Sequence, residues 1–309
     1  MNSTDFCLDI AKYTIRIYTK EEANIYIPEG YIPFLKQVNK KPDIEIEVVQ
    51  NIPFNPAKGV EVFNAFEPTD SNSINCHNAL WNIVEHNGQK LVFTAEPYRN
   101  IYPYLAADFF QNTKKWTIYN SELKKDNGIN LLNPLAYPMG PLLMYHLSLY
   151  NNAILIHASG VQVDDEGYIF SGFSGVGKST IAGLLMKNGC SVVNDDRLLI
   201  RKYEGSYYFF NTPMIYPDEP KKAPFKAAFL LKQHPSNYIN PIKGSEGITK
   251  FMAFCIQHHY IKEHINIIMD TIIDIAKNIK IYELGFVPDD SVVHLIKKLS
   301  LKNEKSKCV

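Results

Sequence analysis

Gly172-Phe173-Ser174-Gly175-Val176-Gly177-Lys178-Ser179 follows the spacing G-x-x-x-x-G-K-[ST], the Walker A pattern of loops that hold a phosphate chain. Each fixed position has a physical task. The glycines let backbone N–H groups turn inward around phosphate oxygens, where side chains would obstruct them. Lys178 brings positive charge to the β- and γ-phosphates, the Ser179 hydroxyl suits Mg²⁺, and the helix that should follow adds its dipole. The chain's own composition yields roughly 0.006 chance matches to this pattern. The reading is therefore a nucleotide or other polyphosphate bound by Gly172 to Thr180.

Seventeen residues after Lys178, Asp195 and Asp196 close a short apolar run. A βαβ crossover would return both carboxylates to the sheet edge that carries the loop. Two acids there can serve Mg²⁺ and take a proton from an attacking hydroxyl, and the residue types alone do not rank one above the other as base. His157 ends an extended run aimed at the same edge and is a candidate for phosphate contact, against the plainer reading of a structural histidine. Lys221, Lys222 and Lys226 border Pro224 and read as solvated lysines before phosphate ligands.

Elements must hold these groups in place. Ala153 to His157, Gly160 to Val163 and Tyr168 to Ser171 are extended runs around the turn Asp164-Asp165-Glu166-Gly167, so a hairpin should lead into the loop. Thr180 to Lys187 suits a helix stopped at Asn188-Gly189, and Cys190 to Asn194 a buried strand. Further runs at Tyr207 to Asn211 and Phe225 to Leu231 read as strands, Gly247 to His259 and Lys262 to Asn278 as helices, then Lys280 to Phe286 as a strand and Ser291 to Leu301 as a helix. Such alternation predicts an α/β catalytic domain over 131–309. Residues 1–130 are strand-rich, with runs at Tyr13 to Tyr18, Asn24 to Ile27, Ile44 to Val49 and Gly59 to Phe63, and a hairpin over Trp81 to Ala95 about Asn87-Gly88. They read as an α+β recognition or assembly region. From Asn130 the pattern turns helical, with Pro141 in a first turn.

Composition removes several function classes. The 32 basic and 32 acidic residues cancel, with thirteen against sixteen through residue 130, so no polyanion-binding surface is indicated. Only Arg16, Arg99, Arg197 and Arg201 are arginines, which leaves little for base readout in nucleic acid. No long apolar run suggests a membrane span, and the opening residues lack the pattern of a secretory leader, so a cytoplasmic protein is expected. Cys7, Cys76, Cys190, Cys255 and Cys308 are scattered and read as free thiols. Cys255, His258 and His259 fall in an apolar helical pattern and read as helix residues rather than metal ligands.

Taken together, Ile156-His157-Ala158-Ser159-Gly160-Val161, the hairpin, Ser171 to Thr180 and Val193-Asn194-Asp195-Asp196 resemble the catalytic core of the HPr kinase/phosphorylase family, itself related to phosphoenolpyruvate carboxykinase. The resemblance spans about 154–200, continues more weakly through Ala223 to Ala227 and Leu230 to Gln233, and does not reach residues 1–130. It implies an α/β P-loop kinase core with a mixed sheet flanked by helices, ATP and Mg²⁺ as cofactors, and a possible homo-oligomer. On matched positions it implies that Gly172 to Thr180 bind ATP, His157 touches the transferred phosphate, Asp195 accepts the proton and Asp196 supports Mg²⁺ or positions the base, so that Ser179, Asp195 and Asp196 are the candidate metal ligands. The Glu-Ile-Arg-Gly segment of HPr kinases is missing between Arg197 and Phe225, which sets HPr itself and the reverse phosphorylase reaction in doubt. The expected activity is ATP-dependent phosphoryl transfer to a hydroxyl, a serine of a peptide or protein or a small molecule. The alternatives are a nucleotide-binding regulatory module without transfer chemistry and a carboxykinase-like enzyme.

Overall fold

The computed structural model of the chain describes residues 1–37, 41–65, 80–96, 101–110, 114–121, 124–256 and 262–305. Two compact units form: Met1–His146 with Pro213–Glu219, and Leu147–Thr212 with Pro220–Val309. Mixed sheets with few helices make the chain α/β.

In the first unit the strands are β1 (Asn2–Ser3), β2 (Asp5–Ile10), β3 (Tyr13–Tyr18), β4 (Ala23–Tyr26), β5 (Ile44–Gln50), β6 (Val60–Asn64), β7 (Trp81–His86), β8 (Gln89–Glu96), β9 (Ile101–Asp108), β10 (Lys115–Asn120), β11 (Lys124–Asp126) and β12 (Ile129–Leu132). Eight build a sheet ordered β2-β3-β5-β10-β9-β8-β7-β6, and four build another ordered β1-β4-β12-β11. Period-two alternation decides their inner faces, since Leu8, Ile10, Ile15, Ile17, Ile44, Ile46 and Val48 are all fully buried. The β7–β8 hairpin turns at Asn87 and Gly88 with φ of 50° and 78°, the two left-handed positions the dipeptide predicts. Residue 130 falls inside β12, and the pairing of Leu132 with Ile25 of β4 carries this region past the division expected there. The helix expected behind Pro141 is α1 (Met139–Tyr150).

The second unit holds β13 (Ile154–Val163), β14 (Glu166–Ser171), α2 (Lys178–Lys187), β15 (Ser191–Asn194), β16 (Arg197–Tyr203), β17 (Ser206–Asn211), β18 (Lys222–Gln233), β19 (Tyr238–Ile242), α3 (Gly244–Met252), α4 (Lys262–Asn278), β20 (Lys280–Phe286) and α5 (Asp290–Lys305). β14, β18 and β20 run parallel side by side. β13 lies antiparallel to β14 on one flank and to β15 on the other, so β15 shares the direction of β14 with one strand between them. The crossover through α2 thus skips over β13. Beneath α2 and α5, Tyr168, Phe170, Phe229, Leu231, Leu284 and Phe286 meet Ile181, Leu185, Val292 and Ile296. Burying each such side chain contributes about 1.5–3 kcal/mol, which fixes α2, and with it the end that faces the loop.

Two expectations need correction here. The runs on either side of residue 158 are a single strand, so His157 is the fourth residue of β13 and not its end. A register shift at Gly160/Val161 lets β13 pair with β15 there while its first half pairs with β16. The helix expected to reach His259 stops at Met252, because the next residues pair as an edge: His157 N–H donates to Phe254 O and Ile256 N–H to Leu155 O. His258 and His259 lie outside the described residues, as do Arg99, Cys76 and Cys308. Cys255 is buried, and burial pushes its thiol pKa far up.

Candidate functional site

Because β14, β15, β18 and β20 share one direction, Ser171, Asn194, Gln233 and Phe286 end at one edge of the sheet. The loop 172–177 leaves β14 there and enters α2 at Lys178. Gly175 and Gly177 hold φ of 76° and 112°, a region that other residues adopt only with strain. A Cβ on Gly177 would also stand 2.7 Å from Cζ of Phe286. Gly177→Ala should therefore cost about 1–3 kcal/mol in urea unfolding, from forced φ and crowding. Gly183→Ala is the contrast, since open space surrounds that helical glycine and alanine should add up to about 1 kcal/mol.

No side chain caps α2, and an α-helix cannot satisfy its own first-turn amides. Ser179 and Thr180 are exposed on that turn. Lys178 is only 9% exposed, and its Nζ donates to the carbonyls of Gly172 (3.0 Å) and Phe173 (3.3 Å). The ammonium is thus folded back over the start of the loop. Burial lowers its pKa from the ordinary lysine value, while the charges of Asp195 and Asp196 pull it up again. Both carboxylates are therefore near enough for their fields to reach it.

The acids are set by a turn that the buried Asn194 holds. The side-chain oxygen of Asn194 accepts the N–H groups of Asp196 (2.8 Å) and Arg197 (3.0 Å), and Ala158 N–H donates to the Asp196 carbonyl (3.0 Å). The fully buried Ser159 donates its hydroxyl to Oδ1 of Asp195. Asp196 is held otherwise, with His157 Nδ1 3.1 Å from its Oδ1 and Arg197 Nε donating to its Oδ2 at 3.2 Å. Ser171 Oγ donates to the His157 carbonyl (3.1 Å), which joins the last residue of β14 to the strand that carries the histidine.

The hydrogen bond from His157 is the largest cause that holds the Asp196 carboxyl below its ordinary pKa; burial opposes it, and Arg197 adds to the lowering. A depressed carboxyl pKa contributes stability that is present above the unfolded value and lost as pH falls through the folded one. Replacing His157 with alanine should raise the Asp196 pKa toward the ordinary aspartate value and shrink the stability lost on acidification. Carboxyl-carbon NMR titration of both proteins measures this.

The structure brings Lys178, Asp195, Asp196 and His157 to one edge beside the loop, with Ser179 at its far end. Among the described residues no group of three or more His, Cys, Asp or Glu side chains is arranged to hold a metal by itself. Mg²⁺ seldom needs one, since it takes one or two carboxylates and fills its octahedron with phosphate oxygens and water. The lysines near Pro224 are elsewhere. Lys226 pairs with Glu166 at 2.7 Å, at the opposite end of β14 from the loop, and Lys222 stands over the rings of Tyr203 and Tyr208. Three residues not singled out from the chain belong to the site: Ser159, Asn194 and Gln233, whose Nε2 donates to Gly175 O at 3.2 Å. Two cavities of about 590 and 500 Å³ open against the loop, and Gly175, Val176 and Gln233 line both.

No family model and no curated protein matches the chain. Among solved structures it is similar to the Hpr(Ser) kinase/phosphatase from Coxiella burnetii, at 12% identity and a TM-score of 0.30, over 50% of this chain and 92% of that one. At that TM-score the likeness carries no weight for activity.

Proposed function

We propose that the chain is a phosphotransferase that moves the γ-phosphoryl group of Mg·ATP to a hydroxyl, a serine of a peptide or protein or the hydroxyl of a small molecule. The observation that supports this most is the meeting at one strand edge of a glycine loop, a buried lysine and two differently held aspartates. A module built only to bind Mg·ATP would use the loop, the lysine and one carboxylate, and would not need both aspartates.

The loop amides and the first turn of α2 cradle the phosphates, and Lys178 exchanges the Gly172 and Phe173 carbonyls for β- and γ-phosphate oxygens. Ser179 and an aspartate, Asp196 in this assignment, would hold Mg²⁺, which supplies charge neutralisation at the phosphates. Asp195, oriented by Ser159, accepts the hydroxyl proton as the new oxygen–phosphorus bond forms and the bond to the ADP oxygen breaks. His157 is placed through Asp196 and touches the phosphoryl group in transit. The protein contributes chiefly position and charge, the main resources of phosphoryl transfer.

Acceptor-dependent ADP release tests the reading. Purified protein with Mg·ATP, offered free serine, glycerol, hexoses and serine peptides, should release ADP faster with at least one of them. Release that no acceptor stimulates, with nucleotide bound, would reduce the chain to a binding module.

A further inference from the structure

The two cavities beside the loop are not equivalent, because the strand ends are ordered. Across the edge stand β15, β13, β14, β18 and β20, with Asp195 and Asp196 following β15 and Phe286 ending β20. On the phosphotransferase reading above, the phosphate chain must finish within reach of Asp195. Its nucleoside end then lies toward β18 and β20. The cavity of about 500 Å³ is there, lined by Gly177, Thr180, His234, Pro235, Phe286 and Pro288.

The cavity of about 590 Å³ also touches β18 and β20, through Leu230 to Gln233 and Glu283, but it extends, as the smaller one does not, to the first residues of the loop and to the segment beside β13. Two of its lining residues, Phe173 and Phe254, meet edge to face with ring centres 5.4 Å apart. Phe173 is one of the two loop residues whose carbonyls hold the Lys178 ammonium, and the Phe254 carbonyl accepts the N–H of His157. The cavity thus adjoins the groups that act on the transferred phosphate. Phe173 nevertheless leaves 78% of its surface to solvent, an apolar face with room for a ligand. Its other apolar walls include the buried Leu230, the half-buried Ile242 and the exposed Ala253. Of the charges that line it, Lys250 is paired with Glu246 and Glu283 accepts the Tyr238 hydroxyl, whereas Lys232 has no ion pair among the described residues.

We propose that this larger cavity is the acceptor subsite, and that the acceptor is a peptide segment with an apolar side chain beside its serine and an acidic residue that meets Lys232. A space of this size takes one or two apolar side chains, not a folded partner. Seated so, the serine oxygen forms its bond to the γ-phosphorus as the bond to the ADP oxygen breaks, and the serine proton passes to Asp195.

Filling each cavity separates the two assignments. Pro288 and Ala253 are both exposed, so tryptophan at either can fill space without disturbing the core. Pro288→Trp should weaken Mg·ATP binding about tenfold or more in calorimetry, and Ala253→Trp should change it less than about twofold. Two pentapeptides then probe the acceptor, one with serine between leucine and aspartate and one with serine between two lysines. The wild type should phosphorylate the first at least about tenfold faster, Ala253→Trp should abolish that preference, and Lys232→Glu should reduce it through the acidic residue. Weakened ATP binding in Ala253→Trp would make the larger cavity the nucleoside site and overturn the assignment. Phosphorylation of neither peptide, or of both alike, overturns the acceptor class. A wild type that binds no Mg·ATP is a different result, and removes the phosphotransferase reading itself.

Discussion

Lys178→Ala should lose Mg·ATP affinity by on the order of 10²-fold in calorimetric titration while keeping its fold. The ammonium is folded over the loop, and charge-assisted bonds to phosphate of about 1.5–3 kcal/mol each disappear with it. The same group donates to the carbonyls of Gly172 and Phe173, so its removal has a structural side. That side is small, because the variant also relieves the burial of a cation whose pKa is already pressed down by desolvation. Thermal unfolding within a few degrees of the wild type, beside a collapse in affinity, separates binding from folding. Lys178→Met, closer in shape, should behave the same way; full affinity in either variant would remove the loop from nucleotide binding.

Asp195→Asn should lower the transfer rate by about 10²–10⁴-fold at saturating Mg·ATP, the range for loss of a positioned general base. The amide oxygen can still accept the hydroxyl of Ser159, so the side chain keeps its place and loses only basicity. ATP affinity should then change little, the opposite pattern to Lys178→Ala. Asp196→Asn differs again, because the carboxylate it removes is held by His157 and Arg197, and its assigned task is the divalent ion. Its deficit should shrink as Mg²⁺ is raised. A deficit in Asp196→Asn that Mg²⁺ does not touch, with Asp195→Asn fully active, would exchange the two assignments.

The loop was legible because its requirements are local. Positive φ at Gly175 and Gly177 and a helix directly behind the loop follow from the residues themselves, as does the turn at Asn87-Gly88, although the helix starts at Lys178 and not at the expected Thr180. The helix Lys262–Asn278 and the strand Lys280–Phe286 agree with their apolar periodicity for the same reason. What the chain concealed depends on pairing between distant residues. Nothing near Phe254 announces that its carbonyl will meet β13, so the apolar pattern alone predicts a helix that runs past Met252. β16 has charged residues among its apolar ones, and β19 is short and carries Pro241; both become strands through their neighbours. Ser159 and Asn194 are small polar residues with no distinguishing spacing, and only burial beside the acids gives them a task. The two aspartates, equal as letters, become distinct by their partners.

Phosphorus NMR of the purified protein with Mg·ATP and a mixture of hydroxyl acceptors addresses the central claim most directly, because it sees the bond that is made. The account predicts a phosphomonoester resonance that grows as the γ-phosphate of ATP declines, present with the wild type and lost in Asp195→Asn although that variant still binds ATP. Inorganic phosphate as the sole product, or unchanged ATP in a wild type saturated with nucleotide, would contradict it.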